Sequence, residues 1–178
     1  MAIELGAELT GRIKRIKLLI MDVDGVMTDG SVIYNDAGLE TKVFDVRDGH
    51  GIKMLQRAGI KAAIITSRQS EAVTHRAKNL GIELLYQGAI EKVKAFEDLL
   101  QKEGLKQDET AYMGDDLVDI PILKRAGFKV CVPDAVDEVK QTAHYITKKH
   151  GGSGAVREVV ELILKTQGRW EEAVKRYL

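Results

Sequence analysis

The sequence predicts an α/β fold: a parallel sheet covered by helices on both faces. Three observations predict it. Short, nearly continuous apolar runs recur at Leu18 to Met21, Ala62 to Thr66, Thr110 to Met113 and Lys129 to Val132, as expected of strands buried on both faces. Segments with helical spacing alternate with these runs. Three of those segments stop at a glycine (Gly59, Gly81 and Gly104), the residue that takes the left-handed backbone closing a helix.

Taken in order, Ile3, Leu5, Leu9 and Ile13 mark a short amphipathic helix that leads into the first strand. Ser31 to Tyr34 and Thr41 to Val46 flank Asn35-Asp36-Ala37-Gly38 and read as a β-hairpin. Gly51 to Ala58 reads as a helix and Ala62 to Thr66 as the second buried strand. Glu71 to Leu80 is helical, Glu83 to Tyr86 a strand, and Val93, Phe96, Leu99 and Leu100 mark the next helix. The strand Thr110 to Met113 precedes a helix over Leu117 to Ala126, and Lys129 to Val132 precedes a short helix over Val136 to Thr142. His144 to Thr147 reads as an edge strand. After the Gly151-Gly152-Ser153-Gly154 loop, Val156, Val159, Val160, Ile163 and Leu164 form one apolar helical stripe. The expectation is one three-layer, Rossmann-like domain over residues 1–178, with a hairpin flap near 30–46 and a C-terminal helix and tail over 153–178.

Composition narrows the function. With 178 residues and 44% hydrophobic content the chain is long enough for one core and short for two. Lys plus Arg equals Asp plus Glu at 27 each, so no global field draws nucleic acid or an anionic membrane. The single cysteine, Cys131, forms no internal disulfide and fits a reducing, cytoplasmic setting. No segment reaches the apolar length of a membrane span, and residues 1–15 lack a signal-like apolar run.

Chemistry concentrates where strands end, the rim on which parallel sheets collect ligands. Asp22 and Asp24 follow the first strand, and side-chain alternation predicts that they project from the same side. Two adjacent carboxylates repel, so the pair implies magnesium, a raised pKa on one member, or both. Thr66, Ser67 and Arg68 follow the second strand, Lys92 opens the helix after the third, and Gly114-Asp115-Asp116 with Asp119 follows the fourth. Each has an ordinary alternative as a cap, a turn or a solvated charge. Together, in this order, they deliver carboxylates, a hydroxyl and cations to one rim.

Asp22-Val23-Asp24-Gly25-Val26, Thr66 at a strand end, Lys92, and Gly114-Asp115-Asp116-Leu117-Val118-Asp119 resemble the haloacid dehalogenase superfamily of aspartyl phosphotransferases. Asp45-Val46-Arg47-Asp48-Gly49, Ile64-Ile65-Thr66-Ser67-Arg68, Tyr86-Gln87-Gly88 and the stretch from Gly151 to Glu158 are similar to its family of 3-deoxy-D-manno-octulosonate 8-phosphate phosphatases. The resemblance implies magnesium-dependent hydrolysis of a sugar-acid phosphate in lipopolysaccharide synthesis, and the phosphatases of nine-carbon sialic-type sugar acids look alike. It implies Asp22 as nucleophile, Asp24 as general acid and base, and magnesium on Asp22, Asp115 and the Asp24 carbonyl. Thr66 and Lys92 would hold phosphate oxygens, with Asp116 and Asp119 in support. Asp45, Val46, Arg47, Asp48 and Gly49 would contact substrate, Arg68 and Arg76 would face a sugar-acid carboxylate, and Lys53 is a further candidate. The Gly151 to Gly154 loop, with Arg157 one turn on, offers free amides as an anion cradle.

The 42-residue step from Asp24 to Thr66 and the 26-residue step from Thr66 to Lys92 leave no room for a large cap domain. Phosphoryl transfer gains from excluding water, so a neighbouring subunit is expected to close the site in a homo-oligomer, a tetramer on the family pattern. A non-catalytic phosphate-receiving module is the alternative; its acceptor aspartate would follow a middle strand, where this chain has Thr66 and Tyr86-Gln87.

Overall fold

The computed structural model describes residues 6–178, so Ile3 and Leu5 of the predicted first helix lie outside the described residues. The strands in chain order are β1 (Leu18–Met21), β2 (Ile33–Tyr34), β3 (Glu40–Thr41), β4 (Lys61–Ile65), β5 (Leu84–Tyr86), β6 (Thr110–Gly114), β7 (Phe128–Cys131) and β8 (Tyr145–Ile146). The helices are α1 (Ala7–Lys14), α2 (Val46–Arg57), α3 (Glu71–Leu80), α4 (Lys92–Glu103), α5 (Ile120–Leu123), α6 (Asp137–Thr142), α7 (Ala155–Thr166) and α8 (Trp170–Val174). Six strands form one parallel sheet in the order β5-β4-β1-β6-β7-β8, and β2 pairs with β3 in an antiparallel hairpin. Helix α7 packs on α1 and α2, while α4 and α6 pack on α5, which gives a helical layer on each face of the sheet.

β1 sits between β4 and β6 and is buried along its whole length, as an apolar run shielded from both sides should be. Its pairing continues one residue further, where the Asp22 amide donates to the Met113 carbonyl at 3.0 Å. Thr66 is held alike, its amide donating to the Tyr86 carbonyl at 2.9 Å. Two candidate site residues thus inherit the rigidity of the sheet ladder.

The structure corrects several boundaries. Helix α2 starts at Val46, not Gly51, because Asp45 caps it: Asp45 Oδ1 accepts the amides of Arg47 at 2.6 Å and Asp48 at 3.1 Å. Val46 to Gly49 are therefore the helix's first turn, and the hairpin strands shrink to two residues each. The segment read as a helix from Leu117 to Ala126 is a 3₁₀ turn over Leu117–Asp119 followed by the short α5, with Pro121 in its first turn.

The Gly151 to Gly154 loop is neither free nor a cradle for an external anion. A Cβ on Gly151 would lie 1.8 Å from the Gly25 carbonyl, so the loop rests flush on the turn after β1. The anion at the start of α7 is the protein's own Asp48, whose Oδ1 and Oδ2 accept the amides of Arg157 at 2.7 Å and Gly154 at 3.3 Å. Beyond α7 the tail folds onto its own chain, where the Tyr177 hydroxyl meets His50 Nε2 at 2.9 Å and accepts from Arg57 at 2.7 Å.

Burial pushes the Asp48 carboxyl up to about 6, against the opposing pull of the Arg157 and Gly154 amides, from an ordinary 3.8. Its folded value is raised, so the stability it contributes is full below about pH 4 and is lost as pH rises through about 6. Urea unfolding compared with Asp48→Asn should show wild type losing on the order of 1–3 kcal/mol relative to the variant between about pH 4 and pH 7. A pH-independent difference would contradict this account of the α7 cap.

Candidate active site

The site is built around a buried ammonium. Lys92, the first residue of α4, places Nζ 2.8 Å from Asp22 Oδ2 and 2.7 Å from Asp119 Oδ1. Burial works against its charge, yet the two carboxylates outweigh burial and hold it above the usual lysine range. Asp119 is fully engaged. Its Oδ1 also accepts the Tyr112 hydroxyl at 2.6 Å, and its Oδ2 accepts the amides of Asp115 at 2.9 Å and Asp116 at 3.2 Å. The Tyr112 phenol, pushed well up by burial and then by Asp119, stays a donor.

Asp115 completes the acidic group. One oxygen from each of Asp22, Asp115 and Asp119 lies within 4.8 Å of the others. Burial, then the charge of Asp119, pushes Asp22 up to about 6 against Lys92. Burial, then Asp119 and Asp22, pushes Asp115 up to about 7. Asp115 Oδ1 is buried with no hydrogen-bond partner. Gly25 makes room for this carboxylate: its φ is +84°, and a Cβ there would fall 2.0 Å from Asp115 Oδ2. Three carboxylates against one ammonium, with an orphaned oxygen, suit a hard divalent cation held by Asp22 and Asp115. Asp119, already saturated, supports them. Among the described residues no hydrogen bond takes the Asp24 carbonyl oxygen, which leaves it available as a further ligand.

Asp24 turns away from this group. Its Oδ1 pairs with Lys42 Nζ and its Oδ2 lies 3.7 Å from Arg68 Nε. Lys42 and Arg68 share Glu40 Oε1 at 3.3 and 2.5 Å, and Arg68 also donates to the Tyr34 hydroxyl at 3.0 Å. Glu40 is held below the usual carboxylate range by the Ser70 hydroxyl, against its burial, with Lys42 and Arg68 adding to the effect. Thr66 is buried at the end of β4, where its hydroxyl oxygen accepts the Arg68 amide at 3.4 Å and its own hydrogen remains to donate.

A haloacid dehalogenase-like hydrolase family model matches residues 82–159, which include Lys92 and the Gly114 to Asp119 motif. The 3-deoxy-D-manno-octulosonate 8-phosphate phosphatase KdsC of Escherichia coli K12 is 44% identical over 95% of this chain and 90% of its own. The chain belongs to the KdsC family of haloacid dehalogenase-like phosphatases. The Moraxella catarrhalis KdsC crystal structure, in complex with magnesium, phosphate and KDO, superposes with a TM-score of 0.94 at 45% identity, over 96% of this chain and 98% of that one. The cobalt-bound Haemophilus influenzae family member superposes with a TM-score of 0.87 at 42% identity, over 89% and 93%.

Within this KdsC family member, the proposed sugar-acid contacts do not all converge. Arg68 reaches the Asp24 side of the site. Arg76 donates to the Asp45 carbonyl at 2.9 Å and lies over the Phe44 ring at 5.5 Å, bracing the entry to α2. Arg47 and Val46 are exposed at the start of α2, Lys53 is exposed further along it, Asp48 and Gly49 are buried, and Asp116 is exposed with Oδ1 accepting the Leu117 amide. Tyr34, Glu40, Lys42 and Tyr112 escaped the sequence reading. For Glu40 and Lys42 the signal was opposite charges two apart in a strand, hence on one face, while Leu39 and Val43 are exposed.

The two acids should respond oppositely to substitution. Asp119→Ala strands Lys92, Tyr112 and two amides, and should cost about 3–5 kcal/mol in urea unfolding. Asp115→Asn removes crowded charge, so without divalent cations at neutral pH it should leave stability unchanged or raise it by on the order of 1 kcal/mol, while abolishing the rise in Tm produced by magnesium. Equal destabilisation by both would contradict the assignment.

Proposed function

We propose that this chain hydrolyses 3-deoxy-D-manno-octulosonate 8-phosphate to the free sugar acid and phosphate through an aspartyl phosphate on Asp22. The observation that carries the reading is the joint presence, on one sheet rim, of Asp22 paired with Lys92 and Asp115 with its unpartnered oxygen. The 44–46% identity to KdsC phosphatases over most of the chain supports the substrate. One Asp22 oxygen bonds phosphorus as the bond from phosphorus to the sugar oxygen breaks, and Asp24 gives its proton to that leaving oxygen. Water then attacks the aspartyl phosphate, loses its proton to Asp24, and releases phosphate and Asp22. Lys92 spends two hydrogens on Asp22 and Asp119 and keeps a third for a phosphate oxygen, with the Thr66 hydroxyl beside it. Asp22, Asp115 and the Asp24 carbonyl would hold magnesium, whose positive charge offsets the carboxylates and the phosphate. Arg68, beside Asp24, would turn its remaining N–H groups to the substrate carboxylate, with Arg47, exposed at the start of α2, as a second cation, while Arg76 and Asp48 are held by the chain itself.

The hairpin supports a homo-oligomer, a tetramer on the family pattern. Its charged residues Glu40 and Lys42 turn to the site, whereas Val32, Ile33, Leu39 and Val43 stand 45–66% exposed. That inverted pattern suits a second copy packing on the outer face and shutting water out. Among the described residues no helix is long and apolar enough to cross a membrane. A buried free thiol at Cys131 fits a cytoplasmic enzyme.

Asp22→Asn should lower kcat by more than about a thousandfold with its fold intact by circular dichroism. In a kinetic screen, the eight-carbon keto-acid phosphate should be preferred to nine-carbon and hexose phosphates, and only with magnesium present. A hexose phosphate preference would reject the substrate, and turnover by Asp22→Asn would reject the nucleophile. Val43→Asp should reduce the sedimenting mass toward that of a monomer and lower kcat; a fully active monomer would remove subunit closure.

A further inference from the structure

Asp24 takes its partners from the hairpin and the turn after β4, away from the acidic group that holds Asp22. Lys42 holds Asp24 Oδ1, while Oδ2 lies 3.7 Å from Arg68 Nε, outside hydrogen-bond reach, and stays open to carry the proton, and both cations close on Glu40 Oε1. The result is a closed ring of alternating charge, Asp24 to Lys42 to Glu40 to Arg68 and back, formed by the turn after β1, strand β3 and the turn after β4. Lys42 lies just past β3, and its side chain is 1% exposed. An ammonium taken so far out of water must be matched by anions, and Asp24 and Glu40 are the two it has. A two-stranded hairpin with two residues per strand is marginal alone, so the ring also ties the flap to the site.

We infer that Lys42 is a positioning residue that fixes the Asp24 carboxyl for proton transfer to the leaving oxygen, with Glu40 holding Lys42 in place. The inference rests on the proposed role of Asp24 as general acid. A freed Asp24 rotates among side-chain conformers, and proton transfer at the moment of bond breaking demands hydrogen-bond geometry. The effect therefore depends on the leaving group. A sugar alkoxide needs that proton, whereas a nitrophenolate departs as the anion.

The test compares kcat/KM, which reports the phosphorylation step, for the sugar-acid phosphate and for p-nitrophenyl phosphate, both with saturating magnesium. Lys42→Met should lose about a hundredfold on the sugar-acid phosphate and less than about fivefold on the aryl ester. The double variant Lys42→Met/Glu40→Gln removes one cation and one anion together, keeps the net charge of the ring, and should show the same split if the single variant folds poorly. Asp24→Asn is the reference and should show a larger split in the same direction. Should Asp24→Asn lose equally on both substrates, the acid assignment fails and the inference falls with it. Should Asp24→Asn split while the Lys42 variants lose equally on both, or lose nothing, the inference alone is overturned.

Discussion

The ammonium of Lys92, buried between Asp22 and Asp119, is the contact on which the site depends. Taking an ion out of water costs several kcal/mol, and a lone carboxylate at either position would be protonated or repelled. One lysine holds both in place, yet it does not balance the site. Asp115 adds a third carboxylate, and the raised values of Asp22 and Asp115 record the charge left over. Three carboxylates against one ammonium leave two negative charges, which one divalent cation offsets, so the need for metal follows from the same contact that orients Asp22.

The fold delivers these groups by carrying hydrogen-bonded order past the ends of its strands. Asp22 hangs on β6 through the Met113 carbonyl and Thr66 on β5 through the Tyr86 carbonyl, so neither sits on a free loop. Glycines bring the surrounding turns close: Gly25 against Asp115, and Gly151 against Gly25. Asp48 then pins the start of α7 to α2, and the helical layer locks behind the site. The hairpin alone lies outside this framework, and its inward charges join it to Asp24.

The central sheet was legible because a strand buried on both faces has to be apolar, and Leu18 to Met21 and Ala62 to Ile65 show nothing else. Asp22, Lys92 and Asp115 were legible as polar residues at strand ends and a helix start, where the sheet's pattern gives no other reason for them. The start of α2 was not. Gly49 looks like a loop residue and Gly51 like the first position of the helix, but each gives way to an arginine: a Cβ would meet the Arg76 guanidinium at 2.4 Å and the Arg157 Cδ at 2.9 Å. Asp48 resembled a substrate contact because nothing local reveals that its partner amides lie more than a hundred residues away. Lys42 showed only a faint signal, its placement with Glu40 on one face, because its burial appears only once the chain has folded over Asp24. Side-chain alternation placed Asp22 and Asp24 on one side, but the strand ends at Met21 and Asp24 turns to the hairpin instead.

The most direct test of a nucleophile aimed by Lys92 is chemical trapping. Enzyme quenched during turnover with magnesium, reduced with borohydride and digested should yield homoserine at position 22 by peptide mass spectrometry, because borohydride reduces an acyl phosphate and leaves a free carboxylate untouched. Homoserine at 24 or 115, or an unmodified Asp22 during continued turnover, would contradict the account.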